Sequence, residues 1–520
     1  MGTRHPRLTM RRHFAGLVIG LMTVGGCASD RGMTDVTRQP FNEQIFTIGY
    51  DRITEIYLQP VDLARLATDG LAGLRSLDSR LGVERSETRM RLLLDGRAVE
   101  EFPLPDKATA AESWARLTAR VVDAARALSP ALRQAASEQI YQAVFDAMML
   151  DLDAYSRYTA ASRAAGERAQ REGYGGIGVT LEAVDGLPVV RTLDQHSPAA
   201  RAGMKSGEVI LAIDDEPTTG QPLREVVERL RGPSGSLTLI TVGPKPDEGR
   251  RLALRRERVI PNTVTLAVDQ NIGIFRIERF NASTTANLRE AIKTARRALG
   301  SRATGFVLDL RSNPGGLLDQ AVAVADLFIA GGRIITTEGR HPDSRQHFDA
   351  NPDDLIDGLP LVVLVDGRSA SASEIVAAAL QDSGRAIVVG TSSFGKGSVQ
   401  TVTRLPNDGE LFLTWSRIYT PAGYTLHREG VLPTICTSRN GSPDSVIADL
   451  RDGRLTLPPR IASWRATAPD DENALANLRE ACPAKPHEAD LELKVAKQVL
   501  ADRTLYRRAL ALTNTAVAQR

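Results

Sequence analysis

The chain has 520 residues, of which 42% are hydrophobic and 25% are charged. These values predict a folded multidomain protein and exclude a chain that is disordered as a whole. The 65 Lys and Arg residues nearly balance the 63 Asp and Glu residues. A protein with this balance presents no broad basic surface to polyanions, so we expect no nucleic-acid partner.

The first residues have the pattern of an export signal. A basic stretch precedes an apolar run that begins at Ala15 and is too short to span a bilayer comfortably. The run ends in Val24-Gly25-Gly26-Cys27, which resembles the lipobox of bacterial lipoproteins. The resemblance implies that residues 1–27 are a lipoprotein signal peptide and that Cys27 carries the lipid after cleavage. An incidental cysteine within an ordinary signal peptide is the alternative.

The same resemblance implies a location. A lipidated Cys27 would anchor the protein to a membrane that faces the bacterial periplasm. Ala28 stands where an aspartate would signal retention in the inner membrane, so the outer membrane is expected. Small and polar residues over 28–40 predict a tether between the anchor and the first domain.

Residues 41–170 predict a helical N-terminal domain. Apolar residues recur there at spacings of three and four, for example in AESWARLTARVVDAARAL. We expect this domain to serve packing or homo-oligomerisation rather than chemistry.

Residues 171–260 change to a β-type pattern. Short runs broken by glycines are followed by the amphipathic helix PLREVVERLRG. This stretch resembles a PDZ domain, in which glycines let backbone N–H groups converge on a C-terminal carboxylate. The resemblance implies that the free C-terminal tail of a protein substrate binds Gly176, Ile177, Gly178, Val179, Val227 and Leu230. A tight β-turn without a ligand is the alternative.

Residues 261–470 alternate strands and helices. NIGIFRIERF and TGFVLDL predict strands, TTANLREAIKTARRAL and LLDQAVAVADLF predict helices, and LPLVVLVDGRSASASEIVAAAL repeats the pattern. The alternation predicts an α/β core. Residues 471–520 are expected to form a C-terminal helical segment, so that the whole chain is a multidomain α+β protein.

The stretch GTSSFGKGS, from Gly390 to Ser398, nearly matches a phosphate-binding loop. Such a loop runs directly into a helix. Here the residues after Lys396 are GSVQTVTRL, rich in β-branched side chains, and Gly397 replaces the magnesium-binding hydroxyl. We therefore interpret Lys396 as an amine that its glycine neighbours deliver into a cleft. Desolvation there would make it neutral enough to act as a general base.

The stretch SASAS offers Ser369, Ser371 and Ser373 as nucleophiles for that base. They lie between a predicted buried strand and a helix that begins near Glu374. Ser371 and Glu374 would also form a capping box, which is a purely structural role. The start of a helix leaves backbone N–H groups free to hold an oxyanion. These residues alone leave both interpretations open.

Three segments resemble the C-terminal processing peptidases, also called tail-specific proteases: NPGGLLDQAVAVADLF, DGRSASASEIVAAALQDSGRAIVVG and SSFGKGSVQ. The resemblance extends from YLQPVD at 57–62 to VLPTI at 431–435. It implies a crotonase/ClpP-like core with a Ser-Lys dyad, in which Ser371 is the nucleophile, Lys396 the base and Gln400 its orienting partner. The oxyanion donors that it implies are the N–H groups of Ala372 and Gly316, with Gly315 as the alternative.

Other residues carry weaker signals. Asp382 matches an acidic position of the family, but a role at a helix end is the plainer interpretation. Thr434 stands where the family usually has aspartate. The seven histidines lie outside these motifs and show no metal-ligand spacing, so neither a metal nor a cofactor is expected. Cys436 and Cys482 could form a disulfide in an oxidising compartment.

The sequence therefore supports two functions. The first is a lipid-anchored periplasmic serine endopeptidase that recognises C-terminal tails through its PDZ domain and cleaves through an acyl-enzyme. The second is a catalytically silent PDZ scaffold of the cell envelope, and the presence of Ser371, Lys396 and Gln400 favours the enzyme over it. An acyl-CoA enzyme of related fold is disfavoured by export. The physiological substrate, the need for an adaptor protein and the oligomeric state stay open.

Overall fold

The computed structural model describes residues 40–106, 110–194, 196–245, 248–439, 442–455, 457–468, 471–486 and 490–515. The predicted signal peptide, Cys27 and all of the predicted tether except Pro40 lie outside these residues. Within the described ranges, no helix combines the length and the apolar character that a bilayer crossing requires.

The N-terminal region is mainly helical, as predicted. Its helices bury apolar faces against one another, with Phe46, Trp114 and Phe145 almost completely shielded from solvent. The helices are α1 (Phe41–Ile56), α2 (Leu63–Ala72), α3 (Ala111–Leu128), α4 (Pro130–Gln134), α5 (Ser137–Leu150) and α6 (Ala161–Glu172).

An antiparallel sheet interrupts these helices, and the helical pattern gave no indication of it. Its strands are β1 (Leu81–Arg85), β2 (Arg89–Leu94) and β3 (Arg97–Pro103), paired in that order. Asp95 and Gly96 connect β2 to β3 with φ of 50° and 75°. An Asp-Gly pair with two positive φ angles is the preferred tight hairpin turn, so this dipeptide was the available signal.

The PDZ region is an inserted domain. Its strands are β5 (Tyr174–Gly176), β6 (Val179–Val184), β7 (Leu187–Leu193), β8 (Val209–Ile213), β9 (Glu216–Pro217), β10 (Leu237–Gly243), β11 (Arg250–Arg255) and β12 (Glu257–Val259), after β4 (Arg157–Thr159). Its helices are α7 (Pro198–Arg201) and α8 (Leu223–Leu230), and the sheet order is β11-β10-β8-β7-β6. Because β5 pairs with β12, the chain enters and leaves this domain side by side.

The core is the predicted α/β unit. Its strands are β13 (Val264–Asp269), β14 (Ile272–Ile277), β15 (Gly305–Asp309), β16 (Arg333–Glu338), β17 (Gln346–Asp349), β18 (Leu361–Val365), β19 (Ile387–Gly390), β20 (Ser398–Arg404), β21 (Glu410–Tyr419) and β22 (Ile435–Cys436). The central sheet has the order β13-β14-β15-β18-β19-β22, and its strands from β14 to β22 are parallel.

Helices cover both faces of this central sheet. The first face carries α9 (Thr284–Leu299), α10 (Leu318–Asp326) and α11 (Ala372–Asp382). The other carries α12 (Pro443–Asp452), α15 (Leu491–Ala501) and α16 (Arg503–Thr515), while α13 (Pro458–Ala466) and α14 (Glu472–Arg479) lie between α12 and α15 in sequence. Burial on both faces explains why β15 and β18 are continuously apolar rather than alternating.

A second sheet joins the core to the N-terminal region. Its order is β17-β16-β21-β20, and β4 pairs with β21. Leu411 and Leu413 of β21 belong to the same buried cluster as the N-terminal helices. Glu410 at the start of β21 forms ion pairs with Arg168 at 2.8 Å and Arg171 at 3.1 Å. Helix α6 is therefore fastened to the core just before the PDZ domain begins.

The C-terminal segment is cross-linked to the core. Cys436 in β22 and Cys482 after α14 form a disulfide, the pairing that the sequence left open. Cys482 is fully buried.

Candidate active site

Three loops of the core meet at one edge of the central sheet. They follow β15, β18 and β19, which are parallel neighbours, so their carboxyl ends lie at the same edge. The first loop contains Asn313 to Gly316, the second ends at Ser371 and the third contains Lys396. The topology of the sheet therefore brings together motifs that are far apart in sequence.

The three candidate serines have different surroundings. Ser369 and Ser373 are fully buried, and their hydroxyls donate to the carbonyls of Leu310 and Asn313 at 2.8 and 2.9 Å. Ser371 is only partly buried and lines an open cavity beside the three loops. Accessibility thus favours Ser371 as the nucleophile, while its two neighbours hold the loops together.

Ser371 has an unusual backbone conformation. Its φ of 55° is uncommon for a residue with a side chain, and such strain concentrates at functional sites. Gly315, with φ of 96°, lies directly against it: a Cβ built on Gly315 would be 2.9 Å from the Ser371 Cβ and 2.6 Å from the Ala370 carbonyl oxygen. The first loop can approach the serine this closely because position 315 is glycine.

Two backbone N–H groups are free beside Ser371. Across the described ranges, the N–H groups of Ala372 and Gly316 donate to no other group, and both residues line the cavity. The N–H of Gly315, in contrast, donates to Oδ1 of Asn313 at 2.9 Å. This geometry favours Gly316 over Gly315 as the partner of Ala372 in an oxyanion hole.

Lys396 lines the same cavity as Ser371 and is partly buried. Its Nζ lies 5.1 Å from the centroid of the Tyr155 ring. Burial lowers the pKa of the Lys396 amine, and the nearby Arg157 lowers it further, against opposing contributions from Glu374 and Asp153. A neutral amine is therefore present at a lower pH than for an exposed lysine.

The chain after Lys396 continues as strand β20 from Ser398. No helix begins there, so the context that a phosphate-binding loop requires is missing. The β-branched run after Lys396 therefore forms a strand, and the interpretation that Lys396 does not serve a nucleotide stays a prediction.

Gln400 also lines the cavity, and its side-chain amide donates to two hydroxyls. Its Nε2 donates to Ser398 Oγ at 2.9 Å and to Thr414 Oγ1 at 3.2 Å. The Thr414 hydroxyl in turn donates to Asp153 at 3.1 Å. Gln400 is thus held in place by hydrogen bonds to β20 and β21, and Thr414 is held in turn by the loop before β4. The sequence interpretation missed Asp153 and Tyr155, although both lie in the stretch LDAYSRY at 152–158.

Glu374 connects the nucleophile loop to the lysine loop. It is fully buried, and its carboxylate accepts the N–H groups of Ser371 at 2.7 Å, Gly395 at 2.6 Å and Lys396 at 2.9 Å. The hydroxyl of Ser393 donates to the same carboxylate at 2.5 Å. Burial raises the pKa of the Glu374 carboxyl, and these donors oppose that effect. The predicted capping role thus extends to the lysine loop.

The cavity walls differ in chemistry. Both apolar and basic side chains line the cavity, and two of the basic ones lie on helix α6. The apolar set is Phe280, Leu317, Leu318, Ile375, Val399 and Ile418, and the basic set is Arg157, Arg163, Arg171 and Arg279.

The six predicted tail-binding residues lie together in one groove of the PDZ domain. The groove is lined by Tyr174, Gly176, Ile177, Gly178, Val179, Leu181, Val227, Leu230 and Arg231. A Cβ built on Gly178 would lie 2.1 Å from Cβ of Ser197, and its φ is 76°. Glycine is therefore required at this position of the loop.

Asp382 and Thr434 lie away from the cavity. Asp382 ends helix α11, is ion-paired with the buried Arg465 and accepts the N–H of Ala422 at 3.1 Å. Burial raises the pKa of its carboxyl. Thr434 accepts a hydrogen bond from Gln381 at 3.1 Å and is 3.0 Å from the hydroxyl of Thr513. Both residues therefore support packing, which agrees with the plainer interpretation of Asp382.

Comparison with known proteins gives the family. Residues 271–437 match peptidase family S41, and residues 189–242 match the PDZ domain. The carboxy-terminal-processing protease of Bartonella bacilliformis is 39% identical over 301 residues, which cover 57% of this chain and 69% of that protein. The carboxyl-terminal-processing protease of Picosynechococcus sp. is 34% identical over 305 residues, which cover 57% of this chain and 72% of that protein.

A solved structure gives a weaker match. The photosystem II D1 C-terminal processing protease is 25% identical, with a TM-score of 0.39, over 76% of this chain and 92% of that one. The domains and the sequence matches define a serine-type peptidase that carries a PDZ domain. The chain belongs to peptidase family S41, among the carboxy-terminal-processing proteases.

Proposed function

We propose that this chain is a lipid-anchored periplasmic endopeptidase that selects proteins by their C-terminal tails and cleaves them with a dyad of Ser371 and Lys396. One observation carries the proposal: Ser371, Lys396, Ala372 and Gly316 all line one cavity. A nucleophile, a base and free N–H donors are the parts that acyl transfer needs.

In the first half of the reaction, the neutral Lys396 amine takes the proton of the Ser371 hydroxyl while Oγ attacks the scissile carbonyl carbon. The N–H groups of Ala372 and Gly316 stabilise the negative charge that develops on the carbonyl oxygen. The intermediate then collapses, the protonated lysine gives its proton to the leaving amine, and an ester with Ser371 remains.

In the second half, Lys396 removes a proton from a water molecule, which attacks the ester. The acid product leaves, and the proton returns to Ser371. Gln400, held by Ser398 and Thr414, lines the same cavity and orients the amine. Lys396 alternates between base and acid, so it needs a pKa closer to neutrality than that of an exposed lysine.

The substrate's tail occupies the PDZ groove. The backbone of residues 176–179 receives the terminal carboxylate, and Val227 and Leu230 contact the last side chain. The partners are therefore proteins with free C-terminal tails, recruited directly or through an adaptor protein, by a monomer or a homo-oligomer.

The proposed anchor makes a prediction about location. Cys27→Ser should move the protein from the membrane fraction to a soluble form or to unprocessed precursor, because the lipid-bearing residue is lost. Fractionation of cells followed by immunoblotting measures this, with Ala28→Ser, which keeps Cys27, as the control. Membrane association that survives Cys27→Ser would contradict the anchor.

The function itself is tested on cell envelopes. Cells that carry the wild-type protein or Ser371→Ala are compared by mass spectrometry of envelope proteins and their C-termini. We expect a limited set of proteins to accumulate, with intact C-termini, in the Ser371→Ala cells. Identical protein levels and identical C-termini in both cells would overturn the proposal and leave the silent scaffold.

A further inference from the structure

The loops that carry Ser371 and Lys396 contact a segment outside the matched peptidase region. The family match ends at residue 437, whereas residues 479–485 begin at the last residue of helix α14 and return to the active-site edge of the sheet. We call residues 479–485 the clamp segment. The residues of this segment that make the contacts are Arg479, Cys482 and Lys485.

Arg479 forms hydrogen bonds with the loop that precedes Lys396. Its Nη2 donates to the carbonyl of Ser393 at 2.8 Å, and its Nη1 donates to the carbonyls of Arg428 and Glu429 at 3.1 and 2.9 Å. Ser393 is the residue whose hydroxyl donates to Glu374. One guanidinium thus ties together the loop before Lys396 and the loop that packs against it.

The remaining contacts reach both catalytic loops. The carbonyl of Cys482 accepts the hydroxyl of Ser392 at 2.6 Å. The carbonyl of Lys485 accepts the hydroxyl of Thr391 at 3.0 Å and the N–H of Gly367 at 2.8 Å. Thr391 and Ser392 precede Lys396, and Gly367 lies in the turn that precedes Ser371. The clamp segment therefore contacts both the loop that carries Ser371 and the loop that carries Lys396.

The disulfide fixes this segment to the sheet. The clamp segment has no regular secondary structure after Arg479, and Cys482 is joined to Cys436 in β22. The N–H of Cys482 donates to the carbonyl of Arg479 at 3.0 Å, so the cross-link and the guanidinium belong to one turn. The disulfide adds a covalent link to the hydrogen bonds of this turn and to the packing of Cys482 and Ala481 against the core.

We infer that residues 479–485 position both catalytic loops and that the Cys436–Cys482 disulfide holds them there, so that the peptidase reaches full activity only after this disulfide has formed. The inference rests on the proposed function. Disulfides form outside the reducing cytosol. The two thiols give two electrons and two protons to a disulfide oxidant, which is reduced to two thiols. The active site would thereby be completed after export.

The test uses the full mature protein in redox buffers of oxidised and reduced glutathione. Cleavage of a disordered polypeptide should fall by about ten- to a hundredfold on reduction, as expected for a small displacement of catalytic groups, and recover on reoxidation. Cys436→Ser/Cys482→Ser should show the low rate in both buffers. The Arg479→Ala variant should cleave slowly even with its disulfide intact. The Arg479→Lys variant should recover part of the wild-type cleavage rate. Arg454→Ala, an exposed arginine paired with Asp449, is the matched control.

A second readout does not depend on activity. Hydrogen exchange at the amides of Gly395 and Lys396, which donate to Glu374, should become faster on reduction, while peptides from helices α1 and α3 stay unchanged. Equal cleavage and equal exchange in both buffers would overturn the inference. An oxidised wild-type protein that cleaves nothing would instead overturn the proposed function, and the exchange measurement would still decide the role of the clamp segment.

Discussion

Lys396→Arg is expected to abolish cleavage of a disordered polypeptide, because a guanidinium does not lose its proton and cannot act as a base. Ser371→Ala and Lys396→Ala should each lower kcat/KM by about a thousandfold or more, and the double variant should be no slower than either, since the two side chains act as one unit. Purified variants are compared by the rate at which product peptides form.

The controls separate the dyad from general damage. Lys293→Arg changes an exposed lysine that pairs with Glu290 on helix α9 and should leave the rate unchanged. Gln400→Ala should lower the rate less than either dyad variant, because Gln400 orients the base and does not itself transfer a proton. A Lys396→Arg enzyme with near wild-type activity would contradict the assignment of Lys396 as the general base.

The pH dependence of the wild-type enzyme follows from the same amine. A base works when it is neutral, so kcat/KM should rise with pH through the pKa of Lys396, and burial places that rise below the ordinary lysine value of about 10.4. Arg157→Gln removes the neighbouring positive charge and should move the rise to higher pH. A profile without a rising limb would contradict the lysine as base.

The second large effect concerns the substrate's tail. Amidating the C-terminus of a substrate, or appending Asp-Asp to it, should lower kcat/KM although the scissile bond is unchanged. Amidation removes the negative charge that the backbone N–H groups of the groove would receive. Appending Asp-Asp also replaces the terminal apolar side chain, and loss of its burial costs about 1.5–3 kcal/mol, or roughly ten- to a hundredfold. Matched peptides that differ only at the C-terminus measure this, with acetylation of the N-terminus as the control.

A variant pair tests the groove itself. Val227→Asp places a carboxylate in the groove and should repel the tail, whereas Leu237→Asp changes an apolar residue of the same domain that is 64% exposed and lies outside the groove. We expect slower cleavage with the first variant and an unchanged rate with the second. A cleavage rate that changes neither with the substrate's C-terminus nor with Val227→Asp would show that the groove does not select substrates.

Helix α6 offers a route from the groove to the cavity. Its residues Arg163 and Arg171 line the cavity, and the chain runs from α6 into the groove at Tyr174. Tail binding can shift the position of α6 only by its differential affinity for two states. Deletion of residues 173–260 distinguishes the two directions of control: loss of activity indicates activation by the domain, and faster, indiscriminate cleavage indicates inhibition.

Much of the core could be predicted because its signals are local. The apolar runs that became β15 and β18, and the periodic helix over 284–299, follow from patterns within a few turns of chain. Parallel strands place their following loops at one edge, so the three glycine and serine motifs converge. The β-branched run after Lys396 likewise indicated that a strand, and not a helix, follows it.

The features that were missed depend on contacts distant in sequence. Glu374 looked like a capping residue, because nothing near it shows that Gly395 and Lys396 donate to it. Arg479 lies at the end of an ordinary polar helix. Its partners are backbone carbonyls distant in sequence, and these give no signal in the residues around Arg479. The sheet β1-β2-β3 was different: the Asp-Gly turn was visible, but the helical pattern on both sides outweighed it.

The most direct test of the central claim is the intact mass of the wild-type enzyme during turnover of a peptide ester whose acyl part is known. We expect a transient adduct with the mass of that acyl group, located by digestion to Ser371 and absent from Ser371→Ala. Product formation at the wild-type rate with the acyl group on another residue, or equal turnover by Ser371→Ala, would contradict it.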